Sequence, residues 1–211
     1  MGLRLNDRDR EIMREVARWR FLLSRQIKVL GGFSGQRACD RRLKALYEAG
    51  YIDKKHIIYG IPRLYFVTKE AVKIFGLDYY TPNIRIEQIE HDIAVADTAI
   101  YLIKNDGIDQ KSITTERDLR NRAGFGNQKH FPDFIYTKDG KPHCVEVEIS
   151  TKRTDVLNKN IIDNYNAYDV QKWIVPSDKA KIIESVKSAG KRYGVIDLIL
   201  LDEVKEYVKG I

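Results

Sequence analysis

The sequence feature that most constrains the fold is a β-hairpin signature in the second half of the chain. Residues 131–137 and 143–150 are rich in β-branched and aromatic side chains, and the stretch Lys138-Asp139-Gly140-Lys141 separates them. An Asp-Gly pair between two such runs predicts two antiparallel strands joined by a tight turn. A chain with this hairpin must build a sheet, and further elements must cover at least one face of that sheet.

The segments on either side of the hairpin alternate between helix and strand patterns. A helix over about 86–104, a strand over 112–116 and a polar connection over 117–130 are predicted before it. After it we predict a helix opened by Thr154 or Asp155, a strand over 170–175, a helix capped by Ser177 that runs to about 189, and a strand over 195–201. The order α-β-β-β-α-β, extended by a helix and a strand, predicts a mixed α/β domain over 84–211. In the helix after the hairpin, the residues predicted to face inward are Leu157, Ile161, Ile162 and Tyr165.

The first 77 residues predict a smaller domain of helices and one hairpin. Helices are expected over 8–19 with a cap at Asn6 or Asp7, over 24–30, and to about residue 49 after a cap at Ser34. Two β-rich runs, 51–59 and 63–68, surround a Gly/Pro turn, and a short helix over 69–75 follows. Three helices, a hairpin and a further helix predict a winged helix-turn-helix. Such a domain can place its third helix in the DNA major groove and its hairpin along the backbone.

The positive charge of the chain is concentrated in this first domain. Residues 1–80 contain 17 Lys and Arg against 9 Asp and Glu, whereas residues 81–211 contain 20 against 21. Lys and Arg side chains bind phosphates, so double-stranded DNA is the predicted partner. A solvated helix face, or a winged helix that only dimerises, is the alternative. The predicted DNA-binding residues lie on the third helix and the hairpin: Gln36, Arg37, Arg41, Lys44, Lys54, Lys55 and Arg63.

Several other classes of protein are disfavoured by what the sequence lacks. No apolar run approaches the roughly 18–20 residues needed to cross a bilayer, and no signal-peptide core is present at the start. We therefore expect a cytoplasmic protein with no membrane partner. Two cysteines do not make a disulfide framework, and no phosphate-binding P-loop motif occurs.

Two acidic motifs lie on the hairpin, with Pro132-Asp133 on the second predicted strand of the domain and Glu146-Val147-Glu148 on the third. With these motifs, the hairpin and its flanking elements resemble the PD-(D/E)xK nuclease superfamily. The resemblance implies a restriction-endonuclease-like αβββαβ domain in which Asp133 and Glu146 bind Mg²⁺ or Mn²⁺. Carboxylate oxygens suit a hard cation that activates water for phosphodiester hydrolysis. If this is so, the carboxylates of Asp133 and Glu146 must lie close together.

The sequence departs from that superfamily at the position of its lysine, which is Glu148 here. Lys152, at the start of the next helix, is the candidate replacement. A carboxylate of the preceding long helix often completes such sites, and Glu90 is our candidate, with Glu87 and Asp97 as alternatives. The predicted catalytic set is therefore Asp133, Glu146, Glu148, Lys152 and Glu90. An inactive nuclease-like scaffold remains the alternative.

Short stretches spread over both predicted domains form one further pattern. They are Leu5-Asn6-Asp7-Arg8-Asp9, Arg37-Ala38-Cys39-Asp40-Arg41-Arg42-Leu43, Ile89-Glu90-His91-Asp92, Phe131-Pro132-Asp133 and Val145-Glu146-Val147-Glu148. With these stretches, the chain resembles the replication-relaxation family of plasmids and mobile elements over nearly its full length. The resemblance implies a role in DNA replication or relaxation with double-stranded DNA as partner. Replication or transposition proteins and a second copy of the chain are further candidate partners. The rival interpretation is a non-catalytic DNA-binding accessory or regulatory protein whose second domain dimerises or recruits a partner.

Overall fold

A computed structural model describes residues 3–81, 83–124, 126, 129–150 and 154–211. The protein has mixed α/β structure, with 51% helix, 18% strand and two sheets, which confirms the predicted class. The chain divides into two compact units, unit 1 (residues 1–96) and unit 2 (residues 97–211). The domain limits of 1–77 and 84–211 stay a prediction. No helix among the described residues is long and apolar enough to cross a membrane.

Unit 1 consists of helices around a small antiparallel sheet with strand order β1–β3–β2. The third helix begins at Gln36 with Gly35 as its N-cap, so the predicted cap at Ser34 is wrong. The two-residue strand β1 was not predicted from the sequence. The elements are α1 (Asp7–Arg18), β1 (Leu22–Leu23), α2 (Ser24–Leu30), α3 (Gln36–Glu48), β2 (Ile52–Lys55), β3 (Leu64–Val67) and α4 (Lys69–Phe75). Helix α5 (Ile89–Asn105) spans the division between the units.

The start of α1 is fixed by a reciprocal pair of hydrogen bonds. The backbone N–H of Asp9 donates to the Asn6 side chain at 3.1 Å, and the Asn6 N–H donates to the Asp9 carboxylate at 2.8 Å. This capping box satisfies two N–H groups that a helix start otherwise leaves open. Asp9 is completely buried, and its carboxylate also binds the guanidinium of Arg42 on α3. The cap of one helix is thereby tied to the middle of another.

Unit 2 is built on a five-stranded mixed sheet with strand order β4–β5–β6–β7–β8. The pairs β4–β5 and β5–β6 are antiparallel, and the pairs β6–β7 and β7–β8 are parallel with helical crossovers. The strands are β4 (Thr114–Thr115), β5 (Phe134–Lys138), β6 (Lys141–Val147), β7 (Val170–Val175) and β8 (Val195–Leu200). The helices are α6 (Glu116–Ala123), α7 (Thr154–Ala167), α8 (Ala180–Gly190) and α9 (Leu201–Lys209).

Several sequence predictions for unit 2 need correction. The connection predicted over 117–130 contains most of α6, and α9 follows β8 where no helix was predicted. Helix α8 begins at Ala180, so Ser177 does not cap it; instead, the Ser177 N–H donates to the carboxylate of Asp202 at 2.9 Å. On α7, Ile162 and Tyr165 are exposed rather than inward, and the polar residues Asn160 and Asn164 are buried in their place.

The hairpin between β5 and β6 sets the register of the sheet. Lys138 pairs with Lys141 across a two-residue turn in which Asp139 has φ 52° and Gly140 has φ 75°. Two positive φ angles are the geometry that favours Asp-Gly in such turns. Strand β5 starts at Phe134, three residues later than predicted, so Asp133 lies just before the strand. Strand β6 ends at Val147, so Glu148 lies just after it.

Candidate functional site

Three acidic residues of unit 2, Asp133, Glu146 and Glu148, form what we term the acidic cluster. Because β5 and β6 are antiparallel, the start of β5 and the end of β6 lie at the same edge of the sheet. One carboxylate oxygen of Asp133 accepts a hydrogen bond from the backbone N–H of Val147 at 2.7 Å. The backbone carbonyl of Asp133 accepts from the N–H of Glu116 at 2.8 Å. These two bonds hold Asp133 beside the end of β6 and next to Glu146.

Glu146 is a buried carboxylate with two polar partners. Its Oε1 atom accepts a hydrogen bond from the Asn164 amide at 2.8 Å and lies 2.5 Å from Nε2 of His130. Only 4% of the residue is exposed. Burial raises the pKa of Glu146, the hydrogen bond from His130 opposes that rise, and the nearby Asp133 carboxylate adds to it. The fold thus holds an acid whose ionised form is poorly solvated and is stabilised by a histidine and an amide.

Glu148 continues the path of β6 beyond the end of the strand. Its N–H donates to the carbonyl of Ile174 at 2.9 Å, and the Ser150 hydroxyl donates to its Oε1 at 3.2 Å. Glu148 is 2% exposed, so both glutamates of the Glu-Val-Glu motif are buried. The bond from Glu148 to β7 continues the pairing of β6 by one residue past its end, so the alternation of side chains places Glu146 and Glu148 on the same side of the sheet.

A chain of buried polar contacts positions Asn164 over the sheet. Trp173 donates its indole N–H to the Gln171 side chain at 3.0 Å, and the Gln171 amide donates to the carbonyl of Ile161 at 3.0 Å. Gln171 and Trp173 belong to β7, whereas Ile161 belongs to α7, so these bonds tie the helix to the strand. Asn164 lies one turn after Ile161, and its amide therefore reaches Glu146.

Of the five predicted catalytic residues, Asp133, Glu146 and Glu148 are those that form the acidic cluster. Lys152 lies outside the described residues. Glu90 is exposed in the first turn of α5, within unit 1. Asp97, one of the alternatives, is 4% exposed and belongs to unit 2. His130 and Asn164, the two partners of Glu146, were not among the predicted site residues. The available signal for Asn164 was its position one helical turn after Asn160.

The donor atoms of the acidic cluster are of the kind that a hard divalent cation binds. Asp133 and Glu146 supply carboxylate oxygens, and burial leaves the charge of Glu146 short of solvation. A cation would offset that shortage, so the residues fit Mg²⁺ or Mn²⁺ in donor type. Within the described residues, no three His, Cys, Asp or Glu side chains are already grouped as ligands around one point.

The exposed side of α3 carries a row of cations. Arg37, Arg41 and Lys44 are exposed, at spacings that place them on one face of the helix, opposite the buried Cys39 and Leu43. We term Arg37, Arg41 and Lys44, together with Lys54, Lys55 and Arg63 of the hairpin, the cationic surface. Lys44 lies 3.7 Å from Glu48 in an exposed ion pair, which contributes little energy.

Two polar residues of α3 bind other side chains of unit 1: Gln36, a predicted DNA-binding residue, and Arg42, the neighbour of Arg41. Gln36 donates to the Ser24 hydroxyl at 2.6 Å and to the Asp40 carboxylate at 2.8 Å. Arg42 points away from the cationic surface and binds the buried Asp9. The guanidinium of Arg42 is therefore a structural cation, although it follows Arg41 directly in the sequence.

The hairpin of unit 1 contributes the remaining cations. Lys54 lies with its ammonium 4.2 Å from the centre of the Tyr47 ring, and Lys55 lies 5.2 Å from that of Phe66. These cation–π contacts hold Lys54 against α3 and Lys55 against β3. Arg63, at the start of the returning strand, is exposed.

Comparison with known proteins adds no assignment to these two sites. No family model matches the chain, and no curated protein matches it either.

Proposed function

We propose that the protein binds double-stranded DNA through unit 1 and cleaves DNA phosphodiesters at the acidic cluster of unit 2. It would act as a metal-dependent endonuclease of PD-(D/E)xK type in the replication or relaxation of a plasmid or mobile element. The observation that carries the proposal is the placement of Asp133, by its hydrogen bond to the Val147 N–H, beside the buried carboxylate of Glu146.

The winged-helix assignment of unit 1 rests on the order of its elements. Three helices precede β2 and β3, and the short β1 completes an antiparallel sheet of order β1–β3–β2. With α3 as the recognition helix, Arg37, Arg41 and Lys44 would face the groove and its phosphates, while Lys54, Lys55 and Arg63 would follow the backbone. Gln36 would have to exchange its bonds to Ser24 and Asp40 before reading a base.

The role of each residue in unit 2 follows from its surroundings. Asp133 and Glu146 would hold Mg²⁺ or Mn²⁺, which activates water and neutralises charge that develops on the phosphate. Asn164 and His130 hold the Glu146 carboxylate in place through Oε1. Glu148 would orient the attacking water, since it lies two residues after Glu146, just past the end of β6. Lys152 remains the candidate for the missing lysine.

Cleavage of supercoiled plasmid tests the proposal. In the presence of Mg²⁺ or Mn²⁺, the wild-type protein should convert supercoiled DNA into nicked or linear DNA, and Asp133→Asn and Glu146→Gln should not. Glu206→Gln is the matched control, because Glu206 is an exposed glutamate on α9 with 80% of its side chain accessible. Equal cleavage by Glu146→Gln and wild type would show that the acidic cluster does not perform the reaction.

Cation binding is measured separately by thermal unfolding. Saturating Mn²⁺ should raise the unfolding temperature of the wild type and of Glu206→Gln, but not that of Glu146→Gln, because a ligand of the folded state stabilises it by mass action. No shift in the wild type would contradict the metal assignment even if the protein binds DNA.

DNA binding is tested through its salt dependence. Replacing Arg37, Arg41 and Lys44 by alanine should reduce the slope of log K against log salt concentration by up to about 2.7, at roughly 0.9 per phosphate contact. Lys181 and Lys187 on α8 and Lys191 directly after it are exposed, and their triple alanine replacement is the control. An unchanged slope in the first variant would contradict binding through α3.

A second candidate function is that of a non-catalytic DNA-binding accessory protein. It is favoured by the contacts of Glu146, whose Oε1 atom is already bound by both His130 and Asn164. A protein that binds DNA but neither cleaves it nor responds to Mn²⁺ would establish this function. Unit 2 would then serve dimerisation or the recruitment of a replication or transposition partner.

A further inference from the structure

Tyr59 is an aromatic residue of unit 1 with 97% of its surface accessible. It lies in the loop between β2 and β3, at the second position of a turn closed by the Ile61 N–H and the Ile58 carbonyl at 3.2 Å. Gly60, at the third position, has φ 83°, a conformation that favours glycine. The turn geometry therefore places the Tyr59 ring at the tip of the loop.

The loop that carries Tyr59 is anchored on both sides of the tip. Ile57, Ile58 and Ile61 pack against a buried cluster of apolar residues. Three packed isoleucines around one exposed tyrosine restrict the loop, so the ring is presented from a fixed base. The buried residues of the cluster are Phe21, Leu23, Leu64, Phe66 and Ile89.

The surroundings of Tyr59 are cationic. Lys55 and Arg63 are exposed at the two ends of the same loop, and His56 is exposed between Lys55 and the tip. A single exposed aromatic residue is ordinary on a protein surface. An exposed aromatic ring at the tip of an anchored loop, between cations that would follow a phosphate backbone, has the composition of a single-strand binding surface.

We propose that Tyr59 is a base-stacking residue that binds an unpaired base of locally melted DNA next to the duplex held by unit 1. The proposal rests on the proposed DNA binding and specifies its substrate as a junction between double-stranded and unpaired DNA. In an intact duplex both faces of each base are covered by neighbouring bases. An exposed aromatic ring finds a free base face only where the strands are open.

The experiment compares two labelled DNA molecules of equal length by fluorescence anisotropy. One is a perfect duplex, and the other carries a short unpaired bubble with 2-aminopurine in it. Tyr59→Ala should weaken binding to the bubble by about tenfold, as expected for the loss of one base stack, and binding to the duplex by less than about twofold. Tyr59→Phe should behave as the wild type, because it keeps the ring.

Two further readouts separate stacking from general damage. The 2-aminopurine fluorescence should be quenched by wild type and by Tyr59→Phe but not by Tyr59→Ala. Ile74→Ala, which removes another exposed apolar side chain of unit 1, is the matched control and should change neither affinity. The thermal unfolding of Tyr59→Ala should match the wild type, since the side chain is almost fully exposed.

The outcomes distinguish this proposal from the proposed function itself. Equal losses on duplex and bubble would overturn base stacking and indicate a groove or backbone contact. An unchanged affinity of Tyr59→Ala for the bubble would overturn it as well. A wild-type protein that binds neither DNA molecule would refute DNA binding, whatever the role of Tyr59.

Discussion

Arg41 and Arg42 are adjacent arginines of α3 with opposite expected roles, and their replacement by methionine tests the structure most directly. Arg42 donates its Nε–H to the Asp9 carboxylate at 2.7 Å, and its terminal nitrogen donates to the Arg4 carbonyl at 2.9 Å. This contact with Asp9 also raises the pKa of Arg42. Methionine keeps the aliphatic stem and removes the guanidinium, so the completely buried Asp9 would lose its counter-ion.

The magnitude follows from the burial of the two partners. Removing one partner of a buried ion pair costs about 3–5 kcal/mol, and Arg42 keeps 23% of its side chain exposed, so we expect a cost of about 3 kcal/mol. With a urea dependence of about 1–3 kcal/mol per molar, the unfolding midpoint of unit 1 should fall by about 1–3 M. Arg41→Met should change stability by less than about 0.5 kcal/mol, because Arg41 is exposed.

The two tryptophans allow the two units to be followed separately. Trp19 is buried in unit 1 and Trp173 in unit 2. Urea unfolding in a Trp173→Phe background therefore reports unit 1 through Trp19 fluorescence. DNA binding should show the reverse pattern, with a loss for Arg41→Met and no loss for folded Arg42→Met. If Arg42→Met were as stable as Arg41→Met, the buried ion pair would be refuted.

Three further predictions concern unit 2 and the cysteines. Asn164→Ala should destabilise unit 2 by about 1–3 kcal/mol, measured by Trp173 fluorescence in urea, because buried Glu146 loses a donor; exposed Asn158→Ala on the same helix should not. The raised pKa of Glu146 means that the folded state binds the Glu146 proton more tightly than the unfolded state does. This tighter proton binding therefore stabilises the fold fully below pH 4.5, the ordinary pKa of the group. The stabilisation is lost as the pH rises through the pKa of Glu146 in the folded state. Glu146→Gln should therefore be more stable than wild type at pH 8, with a difference that shrinks towards pH 4.5; an equal difference at both pH values would contradict burial as the cause. Burial raises the pKa of Cys39 to about 12 and also raises that of Cys144, so a thiol reagent at pH 8 should modify the unfolded chain and leave the native protein unreacted.

Sequence patterns predicted the elements with strong boundary signals. Helices α2 and α4 and strand β7 have the predicted limits, because glycines or turn residues end them and their apolar spacing is regular. Helix α6 was missed because none of its described residues is buried, so it has no apolar stripe. Its capping box between Thr115 and Asp118 was the available signal. Helix α9 was missed because β8 runs directly into it.

The candidate site could be predicted only as far as its carboxylates. Asp133 and Glu146 belong to a recognisable motif, whereas His130 and Asn164 come from a polar connection and a helix without a matching pattern. The rule that apolar residues face inward placed Ile162 and Tyr165 in the core of unit 2. The rule fails on α7 because Asn164 is buried to satisfy Glu146, a partner 18 residues away in the chain.

The mixed connectivity of the unit 2 sheet sets the expected sequence of events when this unit folds. The tight hairpin between β5 and β6 closes a short loop, whereas pairing β6 with β7 requires the whole crossover through α7. Local hairpins form in about 1–10 μs, and contacts between distant segments form later. We therefore expect Asp133 and Glu146 to meet early, while water still surrounds them. The docking of α7, which brings Asn164 and removes that water, would then be the late step that turns an ordinary pair of surface acids into the acidic cluster.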